Sequence, residues 1–233
     1  MTSSMKWLPL ESNPDVISQY MWSVGMSKKW QFVDVLTLDP ELLCMIPQPT
    51  CALVLLFPCS DKYYRYKEEE EERIKNEGQI VSKDLYYTKQ TIGNACGTVA
   101  LIHCVANNTR QISLEEGFLK TFIDSTRSLT PDERATKLEC NEALIQAHDN
   151  FAQDGDTETP SREEEVNLHF VALIQKDGHL YELDGRKKYP INHGVSSPET
   201  FIKDAAEVCR NYMKRDPDNL RFTVIALSES SNN

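Results

Sequence analysis

The sequence predicts an α+β fold in which a mixed β-sheet lies between helical layers, α/β/α in cross-section. Three observations lead there. Helical patterns and strand-like runs follow one another without a strict strand–helix–strand alternation. Cys51–Phe57 is apolar throughout, as expected of a central strand buried on both faces. Asp177-Gly178 separates two strand-like runs, the signal of a tight hairpin. At 233 residues with 40% hydrophobic side chains, the chain can bury one sizeable core, so a single domain over 1–233 is expected.

The elements follow in order. Asn13 is placed to cap a helix that begins at Pro14, with Asp15 near its positive end and Gly25 as the stop. Val16, Ile17, Tyr20, Met21 and Val24 then share one helical face. Gln31–Leu36 reads as a strand ahead of Cys51–Phe57. The five consecutive glutamates within Lys67–Arg73 are expected on a solvated helix face, with an acidic binding surface as the alternative. Asn94 opens a helix to about Asn107; Ser113 with Glu116, and Thr130 with Pro131 and Glu133, carry capping-box patterns for two more. Val166–Gln175, His179–Asp184 and Leu220–Leu227 read as strands. Ser197-Pro198 begins a last helix to about Met213, and the polar tail Ser228–Asn233 is expected to fray. Asp149–Glu165 stands apart, with seven acidic side chains in seventeen residues and only Phe151 and Ala152 apolar. A loop so long inside a compact domain is usually functional or disordered, and this one leads directly to His169.

Composition narrows the function. A net charge of −11 disfavours nucleic acid or an anionic membrane as partner and suits a basic surface or tail. Met1–Ser12 lacks the apolar core of a signal peptide, and the apolar run Ala52–Phe57 is far too short to span a bilayer. The seven cysteines are therefore expected to be reduced, in a cytoplasmic or nuclear compartment. Their irregular spacing, with no C-x-x-C pair, fits neither a disulfide framework nor a zinc site.

Cys96 differs from the other six. In Gln90-Thr-Ile-Gly-Asn-Ala-Cys96-Gly-Thr it falls in the first turn of the Asn94 helix, where free N–H groups and the helix dipole favour a thiolate. Gly97 would let a substrate backbone approach the sulfur, and Gln90 could add a donor for an oxyanion. Cys44, Cys51, Cys59, Cys104, Cys140 and Cys209 lie in apolar runs or on helix faces without a nearby base.

Among the five histidines, His103 shares the Cys96 helix but sits roughly 10 Å along it, too far for direct proton transfer. His148 and His193 are expected at the surface, and His179 follows a turn. His169 lies inside a strand that can hold it rigidly. In the Asp177-Gly178 hairpin Lys176 pairs with His179, which sets His169 and Asp184 diagonally opposed on one face. Phe170, Ala172, Ile174, Tyr181 and Leu183 form the apolar stripe opposite. A structural His–Asp pair would suffice without Cys96; with it, the three match the nucleophile, base and orienting acid of a cysteine hydrolase.

QTIGNACGT, LHFVAL and LYELDGRK resemble the active-site segments of the ubiquitin carboxyl-terminal hydrolases. WLPLESNP, WQFVDV, DPELL, INHG and RDPDNLRF resemble further blocks of that family, so the likeness spans nearly the whole chain. The short type without a C-terminal extension is the nearest in character. The resemblance implies a papain-related fold with a knotted backbone path, and a thiol hydrolase acting at the C-terminal glycine of ubiquitin. Gln90, Cys96, His169 and Asp184 fall on the family's catalytic positions. Glu11, Asp15 and Asp34 fall on acidic positions that contact ubiquitin, whereas Asn219 replaces an acidic residue usual in close relatives. Asp149–Glu165 falls on the crossover loop over the active site. The resemblance implies ubiquitin, or a close ubiquitin-like modifier, as partner of a monomer, with no metal or organic cofactor. A non-catalytic ubiquitin-binding protein and a papain-like peptidase or thiol acyltransferase with another substrate are the alternatives.

Overall fold

A computed structural model describes residues 6–156, 160–164 and 166–230. Four segments open the chain: helix α1 (Pro14–Ser23), strand β1 (Trp30–Asp34), strand β2 (Thr50–Pro58) and helix α2 (Asp61–Glu77). Four helices follow, α3 (Cys96–Asn107), α4 (Phe118–Thr126), α5 (Pro131–Glu139) and α6 (Glu142–Phe151). Then come β3 (Leu168–Lys176), β4 (His179–Leu183), β5 (Ile191–Val195), α7 (Phe201–Arg215) and β6 (Thr223–Glu229). The strands form one sheet in the order β1-β6-β2-β3-β4-β5, and every pairing is antiparallel.

Both faces of this sheet are covered, which explains the unbroken apolar character of its middle strands. Ala52 and Val54 of β2, with Phe170, Ala172 and Ile174 of β3, pack into a core shared with α1 and α3–α6. The alternate residues Leu53, Leu55, Phe57, Val171 and Leu173 pack with Tyr63 of α2 and with α7. Helix α3 is buried along all twelve residues, lying between the sheet and the outer helices. The hairpin forms in the register expected: Lys176 pairs with His179 across Asp177 (φ 47°) and Gly178 (φ 81°), the left-handed pair that a type I′ turn needs.

Several expectations shift, each for a local reason. Asn94 does not cap α3; it has φ 61°, its amide donates to the Trp7 carbonyl at 3.1 Å, and Ala95 is the cap. Ser113 and Glu116 form no capping box. Their segment bonds instead to the turn after α1, with Ser27 N–H on Ser113 O and Glu115 N–H on Gly25 O, and α4 starts only after Gly117. The box at Thr130 and Glu133 does form, but its helix stops at Glu139, and Asn141 caps a separate α6. Ser197-Pro198 makes a turn before α7 rather than its first residues. The INHG block, for which no element was expected, contributes to the edge strand β5, and the sixth strand begins at Thr223 and runs into the tail through Glu229. The end of that tail, 231–233, lies outside the described residues.

The glutamate run departs most from expectation. Glu70 and Glu71 of α2 are buried rather than solvated. Lys187 explains Glu70: its ammonium, also buried, sits 2.6 Å from Glu70 and 2.6 Å from Glu182 of β4. Glu71 accepts from the Lys188 backbone N–H at 3.0 Å. Burying these charges is tolerable because each is paired and hydrogen-bonded.

Candidate active site

Cys96, His169 and Asp184 come from three different elements. Cys96 is the first residue of α3, His169 the second of β3, and Asp184 follows β4 directly. His169 and Asp184 are fully buried, and Cys96 is nearly so at 8% exposure. His169 Nε2 bonds Asp184 Oδ1 at 2.6 Å. The second ring nitrogen, Nδ1, is buried without a completed hydrogen bond, and Cys96 is the other group that acts on the ring. Burial pushes the Cys96 thiol up, but His169, the Arg186 charge and the Phe170 backbone outweigh it and leave the pKa below its ordinary value. Burial also works against a charged imidazole, yet Asp184 and Cys96 raise His169 to about 9. His169 and Lys187, with the Arg186 N–H, likewise overcome burial and hold Asp184 down at about 2. These directions all favour the charged forms: thiolate, imidazolium and carboxylate.

The other cysteines lack that arrangement. Burial pushes Cys59 up to about 11 and Cys209 up to about 12, and drives Cys51 and Cys104 upward as well. Cys44 and Cys140 are exposed. Two histidines expected at the surface are placed otherwise. His148 is buried, joined to Thr98 Oγ1 at 2.7 Å and Leu8 O at 2.6 Å, and burial lowers it to about 4. His193 bonds Glu182 Oε2 at 2.9 Å.

Around the three side chains stand supports that the sequence pattern did not reveal. The Tyr63 hydroxyl of α2 donates to Asp184 Oδ2 at 2.8 Å, while Arg186 N–H donates to Oδ1 at 2.8 Å. Both carboxylate oxygens are thus occupied and the ring partner is fixed. Tyr63 lies more than a hundred residues from Asp184 in sequence, and no local period signals the contact. Gln90 N–H is bound to Gly185 O at 3.0 Å, and a Cβ on Gly185 would stand 2.8 Å from Gln90 Cβ. Only glycine allows the Gln90 segment so close to Asp184. The Gln90 amide gives one N–H to Ile92 O at 3.0 Å and keeps a second. The backbone N–H groups of Cys96, Gly97 and Thr98 carry no bond among the described residues, since the first turn of a helix offers them no partner. Gly97 serves a different end from the one expected: a Cβ there would stand 3.0 Å from Leu10 Cδ1, so its space is filled by Leu10 rather than left for a ligand.

Cys96 opens onto a mainly apolar cleft of about 380 Å³ lined by Leu10, Glu11, Leu56, Leu168 and Phe170. Ala152 and Pro160 border it from the acidic segment, and Val166 from the residue just after it. Of that segment, 157–159 and 165 lie outside the described residues, and Asp149–Phe151 belongs to α6. The remainder is tied to the N-terminal strand of chain: Arg162 bonds Lys6 O at 2.9 Å and Asp149 at 2.7 Å, and Asn13 bonds Asp156 at 2.9 Å. Glu11 packs directly against Gly155. Asp15 and Asp34 are exposed, Asp15 on α1 and Asp34 at the end of β1.

Residues 7–214 match the sequence profile of ubiquitin carboxyl-terminal hydrolase, family 1. The chain belongs to this family. A ubiquitin carboxyl-terminal hydrolase of Drosophila melanogaster is 48% identical over 96% of this chain and 98% of its own. One from Aplysia californica is 50% identical over 94% of this chain and all of its own. The human isozyme L1 is 43% identical over 97% of this chain and all of its own. Among solved structures, the catalytic domain of Trichinella spiralis UCH37 bound to ubiquitin vinyl methyl ester superposes with a TM-score of 0.76 at 23% identity, covering 97% of this chain and 96% of that one. At that identity the likeness speaks for the ubiquitin carboxyl-terminal hydrolase fold.

Proposed function

We propose that Cys96 is the nucleophile of a deubiquitinating thiol hydrolase that releases small amide, ester and short-peptide adducts from the C-terminal glycine of ubiquitin. The observation that carries this reading is the buried His169–Asp184 bond beside a thiol held below its ordinary pKa. The thiolate adds to the glycine carbonyl, and the oxyanion forms beside the Cys96 N–H and the second N–H of Gln90. Collapse breaks the bond to the leaving group, which takes its proton from His169 and departs, leaving a thioester. Neutral His169 then draws a proton from water as the water attacks, and the thiolate leaves as the free carboxylate forms. Asp184 keeps the imidazole oriented through both steps.

Glu11, Asp15 and Asp34 are the acidic contacts we assign to ubiquitin. Their placement beside the cleft or in solvent supports this, as does a net charge of −11 against a basic partner surface. The 149–165 segment is assigned as the crossover loop, beneath which an extended tail reaches Cys96.

A ubiquitin carrying a C-terminal electrophile should label the parent enzyme once, and Cys96→Ala should take no label. Both Cys96→Ala and His169→Ala should lose hydrolysis of a ubiquitin amide, while Cys44→Ala retains it. Near-parental turnover in Cys96→Ala would overturn the assignment; labelling without turnover in the parent would favour a ubiquitin-binding protein.

A further inference from the structure

A second cleft lies at the other end of β3. His169 and Lys176 sit seven positions apart on that strand, so at about 3.3 Å per residue the cleft stands roughly 23 Å from the imidazole. Its volume is about 300 Å³, and its lining is basic: Lys83, Arg110, Arg127, Arg134 and Lys176 converge from five stretches of chain, with Asp84 as the one carboxylate. Five cations against one carboxylate leave four net positive charges in a chain whose total is −11.

None of the five cations forms an ion pair among the described residues, although acidic side chains are plentiful on this protein. They are instead propped by neutral groups. The buried Arg134 guanidinium donates to Thr126 O at 3.0 Å, Tyr87 O at 2.8 Å and Arg127 O at 2.7 Å, and stacks 4.2 Å above the Tyr86 ring. Arg127 reaches Ala106 O and Thr109 Oγ1 through one nitrogen, and half-buried Lys176 reaches Asn107 O at 3.2 Å. Lys83 and Arg110 are exposed at the rim with no hydrogen bond of their own. Carbonyls orient such groups but do not neutralise them, and burial holds both Arg134 and Lys176 below their ordinary pKa values. Arg134 thus lines the cleft buried and rigidly held, without an ionic partner among the described residues.

We propose that this cleft binds a small, multiply phosphorylated anion. The Arg110 and Arg127 guanidinium forks suit tetrahedral oxyanions, with Arg134 held beside them by carbonyls, and Lys83 and Lys176 supply point charges. One phosphate would leave much of the positive charge unmatched, whereas two or three linked phosphates would balance it. The volume is that of a small-molecule site, not of a polymer track.

Calorimetric titration of the full chain with inorganic tripolyphosphate at low ionic strength tests this. One saturable site is expected, weakening with added salt. Arg110→Ser combined with Lys176→Gln should weaken binding at least tenfold, while Lys28→Gln combined with Lys203→Gln, an equal loss of charge elsewhere, should not. Inorganic phosphate should bind at least tenfold more weakly than tripolyphosphate. The absence of a saturable site would overturn the proposal, as would equal weakening in the two double variants or equal affinity for the two anions. Circular dichroism of each variant guards against loss of fold.

Discussion

Asp184 has two oxygens, and Tyr63 holds the one that His169 does not. Tyr63→Phe would remove that donor and leave a buried charged acceptor short of a partner. Hydrogen bonds to charged groups are worth about 1.5–3 kcal/mol, so urea unfolding should show a loss of that order. A variant as stable as the parent would mean that water replaces the hydroxyl. The pair also sets a pH window. His169 rises from 6.5 to about 9 on folding, so its contribution is complete below about 6.5 and is lost as pH climbs through about 9. Asp184 falls from 3.8 to about 2, so its contribution is present above about 3.8 and is lost as pH drops through about 2. Stability measured against pH should therefore form a plateau between those limits, and His169→Gln should remove the alkaline shoulder. At this scale the sequence was legible where chemistry is local. Cys96 could be found from the helix start and His169 with Asp184 from a two-residue turn, whereas Tyr63 and Gly185 act through contacts that only the folded chain creates.

Secondary elements are joined beneath the site by charge. Lys187 is buried between Glu70 of α2 and Glu182 of β4, and Glu182 also accepts from Tyr212 of α7 at 2.7 Å and from His193 of β5 at 2.9 Å. One carboxylate thus reaches three other elements. Lys187→Met would strand two buried carboxylates and should cost about 3–5 kcal/mol in chemical denaturation. A cost below 1 kcal/mol would mean that the carboxylates take up protons or water without strain. This network also shows why the glutamate run misled. Five identical residues give no period, so the sequence cannot tell which of them turn inward; the cation that selects Glu70 lies more than a hundred positions away. The capping pattern at Ser113 failed for a similar reason, because Gly25 and Ser27 claim its backbone groups from a distant turn. The Thr130 box succeeded because all its partners lie within one turn.

The whole molecule has its cleft bordered on one side by a segment that leaves the core after Ala152 and is then fastened to residues 6–13 and to Asp149 by polar bonds. Phe151 and Ala152, the two apolar residues that composition singled out, pack on the core, but the polar fastenings of the rest to a distant part of the chain left no trace in it. Inserting about six Gly/Ser residues within 157–159 should cost little stability, since closing entropy grows slowly with loop length. We predict that the insertion raises cleavage of ubiquitin from folded adducts relative to small amides. An unchanged ratio would show that the segment does not set adduct size. The sheet's two covered faces were foreseeable from apolar runs, while strand order and the wholly antiparallel pairing, where a mixed sheet was expected, were not, because non-neighbouring strands pair across long crossovers.

Helix α3, buried along its whole length, carries Cys96, the nucleophile we propose, at its first residue. Its amides have no shallow route to solvent, so they should exchange hydrogen for deuterium only when the entire domain opens. The segment across the cleft should exchange through small excursions, orders of magnitude sooner. If so, the proposed nucleophile is a fixed datum and every adjustment to an incoming chain is made by the side facing it. Exchange of the α3 interior as fast as that of residues 152–156 would contradict this, and would make the thiol the moving part.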